Sequence, residues 1–202
     1  MTKEEEILAA AEEEFFRNGY DASSTAIIAK RAGVTHAMVN YYFRSKERLF
    51  LQILDNHVTE LLRSLKPLMQ ADGDMVKVSI DAACVIFDRM NGDRRFPFIL
   101  SDISRTHPDF LLKYREALDS ICRDSLSMHR DRLRKCIDEG KVAECSMNDI
   151  YNSVLSLAVT PFLTLPLLEN VAGRDEAQVD EFLRERKAEM VKILSSRYSC
   201  DR

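Results

Sequence analysis

Two short apolar stretches, separated by one glycine and each headed by a hydroxyl side chain, constrain this chain more than any other feature. Ser23 or Ser24 can cap a helix that turns Ile28, Ala29 and Ala32 inward. Gly33 then supplies a sharp turn, and Thr35 can cap a second helix from His36 to Tyr42 or Phe43. A hydroxyl oxygen accepts from the free amides of a first helical turn, so each such residue marks a start. Two short helices joined by a three-residue, glycine-containing turn form a helix-turn-helix. Ala29 and Gly33 are small, as two closely crossing helices require.

The remaining chain also reads as helical. Thr2 and Glu5 make a capping box, and Ile7, Leu8, Ala11, Phe15 and Phe16 recur at helical spacing until Asn18-Gly19. Ser45 can cap a fourth helix that should stop near Pro67, and a fifth is expected from Met75 to Met90. A short helix is expected between Arg95 and His107, and a long one from Pro108 to Glu139. Ser146 should open an apolar helix, kinked by Pro161 and Pro166 and ending near Asn170, and a last helix should run from Glu176 to Tyr198. Only six glycines and five prolines occur in 202 residues, too few turn formers for a many-stranded sheet. The expected class is all-α, with about nine helices. Residues 1–46 would form a three-helix helix-turn-helix domain, and 47–202 a second, larger helical domain.

The net charge of −4 argues against nucleic-acid binding until its distribution is considered. Between Arg17 and Phe50 six basic residues face two acidic ones, giving a local charge of +4, while Glu4, Glu5, Glu6, Glu12, Glu13 and Glu14 precede it. A basic face on an acidic protein suffices for phosphate contact.

The run Gly19-Tyr20, Ser23-Ser24, Ile28-Ala29, Ala32-Gly33-Val34-Thr35, Tyr41-Tyr42-Phe43 and Ser45-Lys46-Glu47-Arg48-Leu49 resembles the N-terminal domain of TetR-type (tetracycline-repressor-like) regulators. The resemblance covers about residues 5 to 50. It implies that the second helix of the motif enters the major groove, with His36, Ala37, Met38 and Asn40 facing the bases. Histidine can donate to purine acceptors, asparagine can pair bidentately with adenine, and Met38 and Ala37 can pack on a thymine methyl. It further implies phosphate contacts from Ser24, Thr25, Tyr41, Tyr42 and Lys46, which fix register without reading sequence. The family more often has Lys or Pro near position 36, Thr or Ser at 38 and Tyr at 40, so the operator should be unusual.

The resemblance also implies an effector pocket among the middle helices. Phe87, Met90, Phe96, Phe98, Phe110, Tyr114, Met128 and Phe162 are the candidates to line it. At helical spacing the same residues also serve as ordinary core. Val154, Leu155, Ala158, Val179, Phe182, Leu183, Met190, Ile193 and Leu194, on the last two long helices, are expected to form a homodimer interface. The expected function is a ligand-responsive regulator, in the repressing mode usual for the family, that leaves an approximately palindromic operator when a small apolar effector binds. The alternative is a helical small-molecule-binding protein that does not act through DNA.

Catalysis is not expected. His36, His57, His107 and His129 are dispersed, and no glycine-rich phosphate loop or His-Glu-x-x-His pattern occurs. The five cysteines form no Cys-x-x-Cys pair, so neither a metal nor another cofactor is expected, and their odd number fits a reduced cytoplasm. The acidic start lacks the apolar core of a secretory signal. The most apolar stretch, Val154 to Leu168, is shorter than the ~20 residues of a spanning helix, so no membrane partner is expected.

Overall fold

The structure is a computed structural model that describes residues 2–70, 74–115 and 129–199. The helices are α1 (Lys3–Ala22), α2 (Thr25–Arg31), α3 (His36–Phe43), α4 (Lys46–Gln70), α5 (Met75–Gly92), α6 (Phe96–Thr106), α7 (Asp109–Leu112), α8 (129–138), α9 (Met147–Leu163) and α10 (Glu176–Tyr198), with a π-helical turn at Leu167–Val171. Among the described residues the only β pairing is an isolated bridge between Val142 and Ser199. The fold is therefore all-helical, as the sequence predicts.

Most boundaries follow from local chemistry. Thr2–Glu5, Ser146–Asp149 and Asp175–Gln178 are complete capping boxes at the starts of α1, α9 and α10. Three boundaries differ from expectation. Pro67 does not stop α4, which continues to Gln70. The single helix expected from Pro108 to Glu139 is interrupted, because α7 ends at Leu112 and a turn follows at 113–114. The kinked apolar helix divides at Thr164, beyond which Pro166 leads into the π-helical turn.

Two compact units result. The first comprises residues 1–60 and 95–113, and the second comprises 61–94 and 114–202. The expected domain boundary at 46 falls inside the first unit.

In the first unit, Ile7, Ala11, Phe15 and Phe16 of α1 form one core with Ile28 and Ala29 of α2, Val39 and Phe43 of α3, and Leu49, Phe50, Ile53 and Leu54 of α4. Phe96 and Phe110, expected to line a pocket, are core here. Phe96 stacks on His57 at 4.8 Å, and Phe110 meets Tyr20 and Phe50 at 5.1 and 5.9 Å. Arg31 fixes α2 to α1 through Glu14, whose side chain is only 2% exposed. The Arg31 Nε lies 2.8 Å from Oε2, as an ion pair without hydrogen-bond alignment, and Asn18 Nδ2 donates to Oε1 at 2.9 Å.

In the second unit α5 packs on α9 and α10, and α9 packs on α10. Phe87 and Phe162 meet edge to face at 4.8 Å, so these two expected pocket residues also fill the core. Lys187 Nζ donates to both Asp88 carboxylate oxygens at 2.6 and 2.7 Å.

The Glu14–Arg31 pair is asymmetric, and its two halves should respond differently to substitution. Arg31→Ala leaves a buried carboxylate without its cation and should cost about 3 kcal/mol. Glu14→Leu leaves a guanidinium that is already one-third exposed and can turn to water, so it should cost about 1 kcal/mol or less. Denaturant titration of both variants checks the order, and equal costs would refute the asymmetry.

Candidate nucleic-acid interface

The turn between α2 and α3 is built as its residues suggest. Ser24 and Thr35 accept from the amides of Ile27 and Met38, both at 3.3 Å, and so cap their helices. Gly33 sits at φ +63°, a left-handed conformation that costs other residues energy. Val39 and Phe43 point into the core, which leaves the opposite face of α3 outward. His36, Ala37 and Asn40 are exposed and Met38 is half-buried. The four expected base-facing residues therefore lie on α3 away from its buried side.

The expected phosphate residues divide. Tyr41 and Tyr42 are 72% and 41% exposed, with their rings edge to face at 5.3 Å. Ser24 and Thr25 are half-buried at the start of α2, and Thr25 Oγ1 lies 2.8 Å from His36 Nε2. Lys46 is placed differently. Its Nζ donates to the carbonyls of Tyr20, Ser23 and Asp21 at 3.0, 3.2 and 3.5 Å, and lies 4.3 Å from the centre of the Tyr20 ring. An ammonium has three protons, and three carbonyls face this one. Burial pushes the Tyr20 phenol above its ordinary pKa, with smaller contributions from Glu47, Asp21 and Asp109.

The basic residues of the segment are not equally available. Arg17 and Arg31 pair with Glu13 and Glu14. The hydrogen bond from Arg95 holds the Glu13 carboxyl below its usual range, aided by the charges of Arg95, Arg17 and Arg31. Lys30, Arg44 and Arg48 are exposed and carry no ion pair among the described residues. A charge count over this segment could not separate the two groups, because the partners Glu13 and Glu14 lie outside it. Arg44 also holds a positive φ of 65° at the end of α3, a conformation that strains a residue with a side chain.

A separate cavity of about 270 Å³ lies in the second unit. Leu62 and Leu65 of α4, Met75 and Ile86 of α5, and Ile150 and Val154 of α9 give it apolar walls, and Ser79, His129 and Tyr151 add polar groups. None of the seven described residues expected to line a pocket borders it, and Met128 lies outside the described residues. Phe98 is half-buried in α6, and Tyr114 is buried. The cavity is instead lined mainly by aliphatic residues that the sequence presents as ordinary core.

Of the nine residues expected at a dimer interface, Val154, Ala158, Val179, Leu183, Met190 and Leu194 are buried within the chain's own core. Phe182 is half-buried, and Leu155 and Ile193 are 51% and 40% exposed. The exposed apolar residues also include Leu163, Leu167 and Val171, which sequence reasoning missed. The segment Met147–Val171 is long and apolar enough to cross a membrane, with 22% of its most apolar window buried.

Two capped helices with a left-handed glycine between them, the second turning a polar face outward, define a helix-turn-helix protein. The family model for bacterial regulatory proteins, tetR family, matches residues 7–53. The chain is 30% identical over 138 residues to the HTH-type transcriptional activator FasR of Mycolicibacterium smegmatis, a match that covers 63% of each chain. It is 40% identical over 55 residues to the HTH-type transcriptional regulator QacR of Staphylococcus aureus, covering 27% of this chain and 29% of that one. The chain thus spans less than two thirds of these relatives. Among solved structures it is similar to SCO4942 of Streptomyces coelicolor, with a TM-score of 0.67, 22% identity and 98% of both chains covered. It is also similar to the fatty acid degradation regulator FadR of Bacillus halodurans, with a TM-score of 0.58, 14% identity and 95% of both chains covered. Residues 7–53 thus resemble the helix-turn-helix segment of the tetR family of bacterial regulatory proteins.

The carbonyl contacts of Lys46 set an expectation for its removal. Lys46→Ala should lower stability by about 2 kcal/mol, as for loss of charge-assisted hydrogen bonds, and leave the salt dependence of DNA binding unchanged. A thermal melt and a salt titration of binding check both halves. A salt slope reduced by about 1, with unchanged melting, would return Lys46 to the phosphate set.

Proposed function

We propose that the chain is a transcription regulator that binds an approximately palindromic operator as a homodimer and responds to a small, largely apolar effector. The observation that carries this reading is the outward face of α3, where His36, Ala37 and Asn40 are exposed. Lys30, Arg44 and Arg48 carry no ion pair among the described residues and suit phosphate contact with Thr25, Tyr41 and Tyr42. Residues 1–46 serve as the reading head and 47–202 as the responding part. A protein that acts on operator DNA works in the cytoplasm.

Asn40 is the best candidate for direct readout, because its amide can donate to and accept from one adenine. Asn40→Ala should cost about 1–3 kcal/mol on the preferred operator and little on random DNA. Binding of wild type and variant to a randomised double-stranded library separates this from a packing role. Unchanged preference with a lower melting temperature would remove Asn40 from the reading set. A wild type that binds no sequence selectively would favour the helical ligand-binding alternative.

For the dimer, the exposed Leu155, Leu163, Leu167 and Val171 and the exposed Ile193 of α10 supply apolar surface that a second copy would cover. A stable homodimer buries on the order of 2,000 Å².

For the effector, the aliphatic walls of the cavity favour a small, largely apolar molecule. Its volume lies near the lower end of ligand sites, which begin at about 300 Å³. Continuous α4 carries Leu62 and Leu65 on the cavity and Leu49 to Leu54 in the first unit's core, so a shift of α4 would couple the two. Release, and with it relief of repression, follows from a population shift away from the DNA-fitting state. Ala82→Phe, which adds a ring at the cavity wall, should leave operator affinity within about threefold and abolish release by long-chain carboxylates. A panel of such ligands that raises the melting temperature of wild type without changing operator affinity would refute the coupling.

A further inference from the structure

Thr25 and His36 begin successive helices, and their side chains meet at 2.8 Å through Oγ1 and Nε2. His36 is exposed and makes no other side-chain hydrogen bond among the described residues. A hydroxyl has one proton, and a neutral imidazole has one nitrogen that donates and one that accepts. The contact therefore has two forms. Either the Thr25 hydroxyl donates to a bare Nε2 and the ring proton sits on Nδ1, or Nε2–H donates to Oγ1 and Nδ1 is a bare acceptor.

DNA decides between them. On the reading proposed above, on which this inference rests, Thr25 contacts a phosphate. A phosphate oxygen only accepts, so the single hydroxyl proton must go to it, and that charge-assisted bond outcompetes a neutral one to the ring. The Thr25 oxygen then has only lone pairs to offer His36, and Nε2 must carry the ring proton. We propose that Thr25 is a positioning residue which, on DNA, fixes His36 in the Nε2–H tautomer, so that Nδ1 selects a base with an exocyclic amine. In the major groove that means adenine N6 or cytosine N4. Guanine and thymine present O6, N7 or O4 there, and each sets a lone pair against a lone pair. This inverts the donor role that histidine type alone suggests, and the inversion comes from a residue that touches no base.

The test uses the full chain and a double-stranded library randomised symmetrically in both half-sites, at pH 8. Wild type should prefer A or C over G or T by about tenfold at one position per half-site, and His36→Ala should flatten that position alone. Thr25→Ser should keep the preference. Thr25→Val should lose it, and combining Thr25→Val with His36→Ala should change that position no further. A Thr25→Val protein that binds all sequences more weakly but keeps the preference would overturn the proposal, as would a wild-type preference for guanine at the His36-dependent position. Selectivity elsewhere with no His36-dependent position overturns this inference alone, whereas a flat wild-type profile everywhere removes the DNA-reading proposal with it. If Thr25→Val fails to fold, the imidazole nitrogen resonances of wild type on DNA decide. A protonated Nε2 with a bare Nδ1 supports the proposal, and the opposite tautomer overturns it.

Discussion

Lys46 stands at the first position of α4, directly after the turn that ends α3, and its ammonium reaches back to the carbonyls of Tyr20 and Ser23 at 3.0 and 3.2 Å. The end of α1 needs such a partner. The last carbonyls of a helix lack amide partners, and the final turn of α1 contains no basic residue of its own. Gly19, at φ +79°, has already broken the regular helix there. One side chain therefore closes the segment from α1 through α3 on itself and fixes where α4 begins relative to α1. The same ammonium lies over the Tyr20 ring, which packs on Phe15, Phe50 and Phe110 at 6.0, 4.9 and 5.1 Å. The polar clamp and the aromatic core thus hold one corner, and α2 and α3 are carried between them.

That arrangement changes how the local charge of the segment is counted. Six basic residues against two acidic ones suggest a uniformly positive face. Glu13 and Glu14, just upstream of the counted segment, neutralise Arg17 and Arg31, and main-chain carbonyls occupy Lys46. The remaining exposed cations, Lys30, Arg44 and Arg48, are fewer but lie on α2, at the end of α3 and in the first turn of α4. Glu13 and Glu14, in the second half of α1, are therefore structural partners of the basic segment.

How much of this was legible in the sequence depended on the range of the interaction. Caps act over three residues, so Thr2–Glu5, Ser24, Thr35 and Ser146 could be read directly or nearly so, whereas the equally local Asp175–Gln178 box was missed. The inward and outward faces of α3 were equally legible, because Val39 and Phe43 share a helical period. Contacts across the fold were not. The partners of Lys46 lie 23 to 26 residues away, and Thr25 meets His36 across eleven. Large aromatic residues were expected to line a pocket, but flat rings pack most favourably on one another. Phe16, Phe96 and His57, like Phe87 and Phe162, spend their surface that way. The cavity is left where aliphatic chains of unequal reach converge, which no periodicity marks.

The cavity and the exposed face of α9 raise the same energetic question. The cavity presents an almost wholly aliphatic wall, and apolar surface left in contact with water forgoes the stabilisation of burial. Leu155 links the two features, since it borders the cavity and is also half exposed. Val154 beside it is buried and borders the cavity too. On the proposed reading both defects are relieved by binding, the cavity by an apolar effector and the outer face of α9 by a second copy of the chain. The two events would then share α9, and occupancy of the cavity would bear on how firmly the copies associate. A chain optimised for its own stability would fill the cavity with larger side chains at Ala82 and Ser79, two small residues on its wall. On the proposed reading, their small side chains leave room there for a ligand.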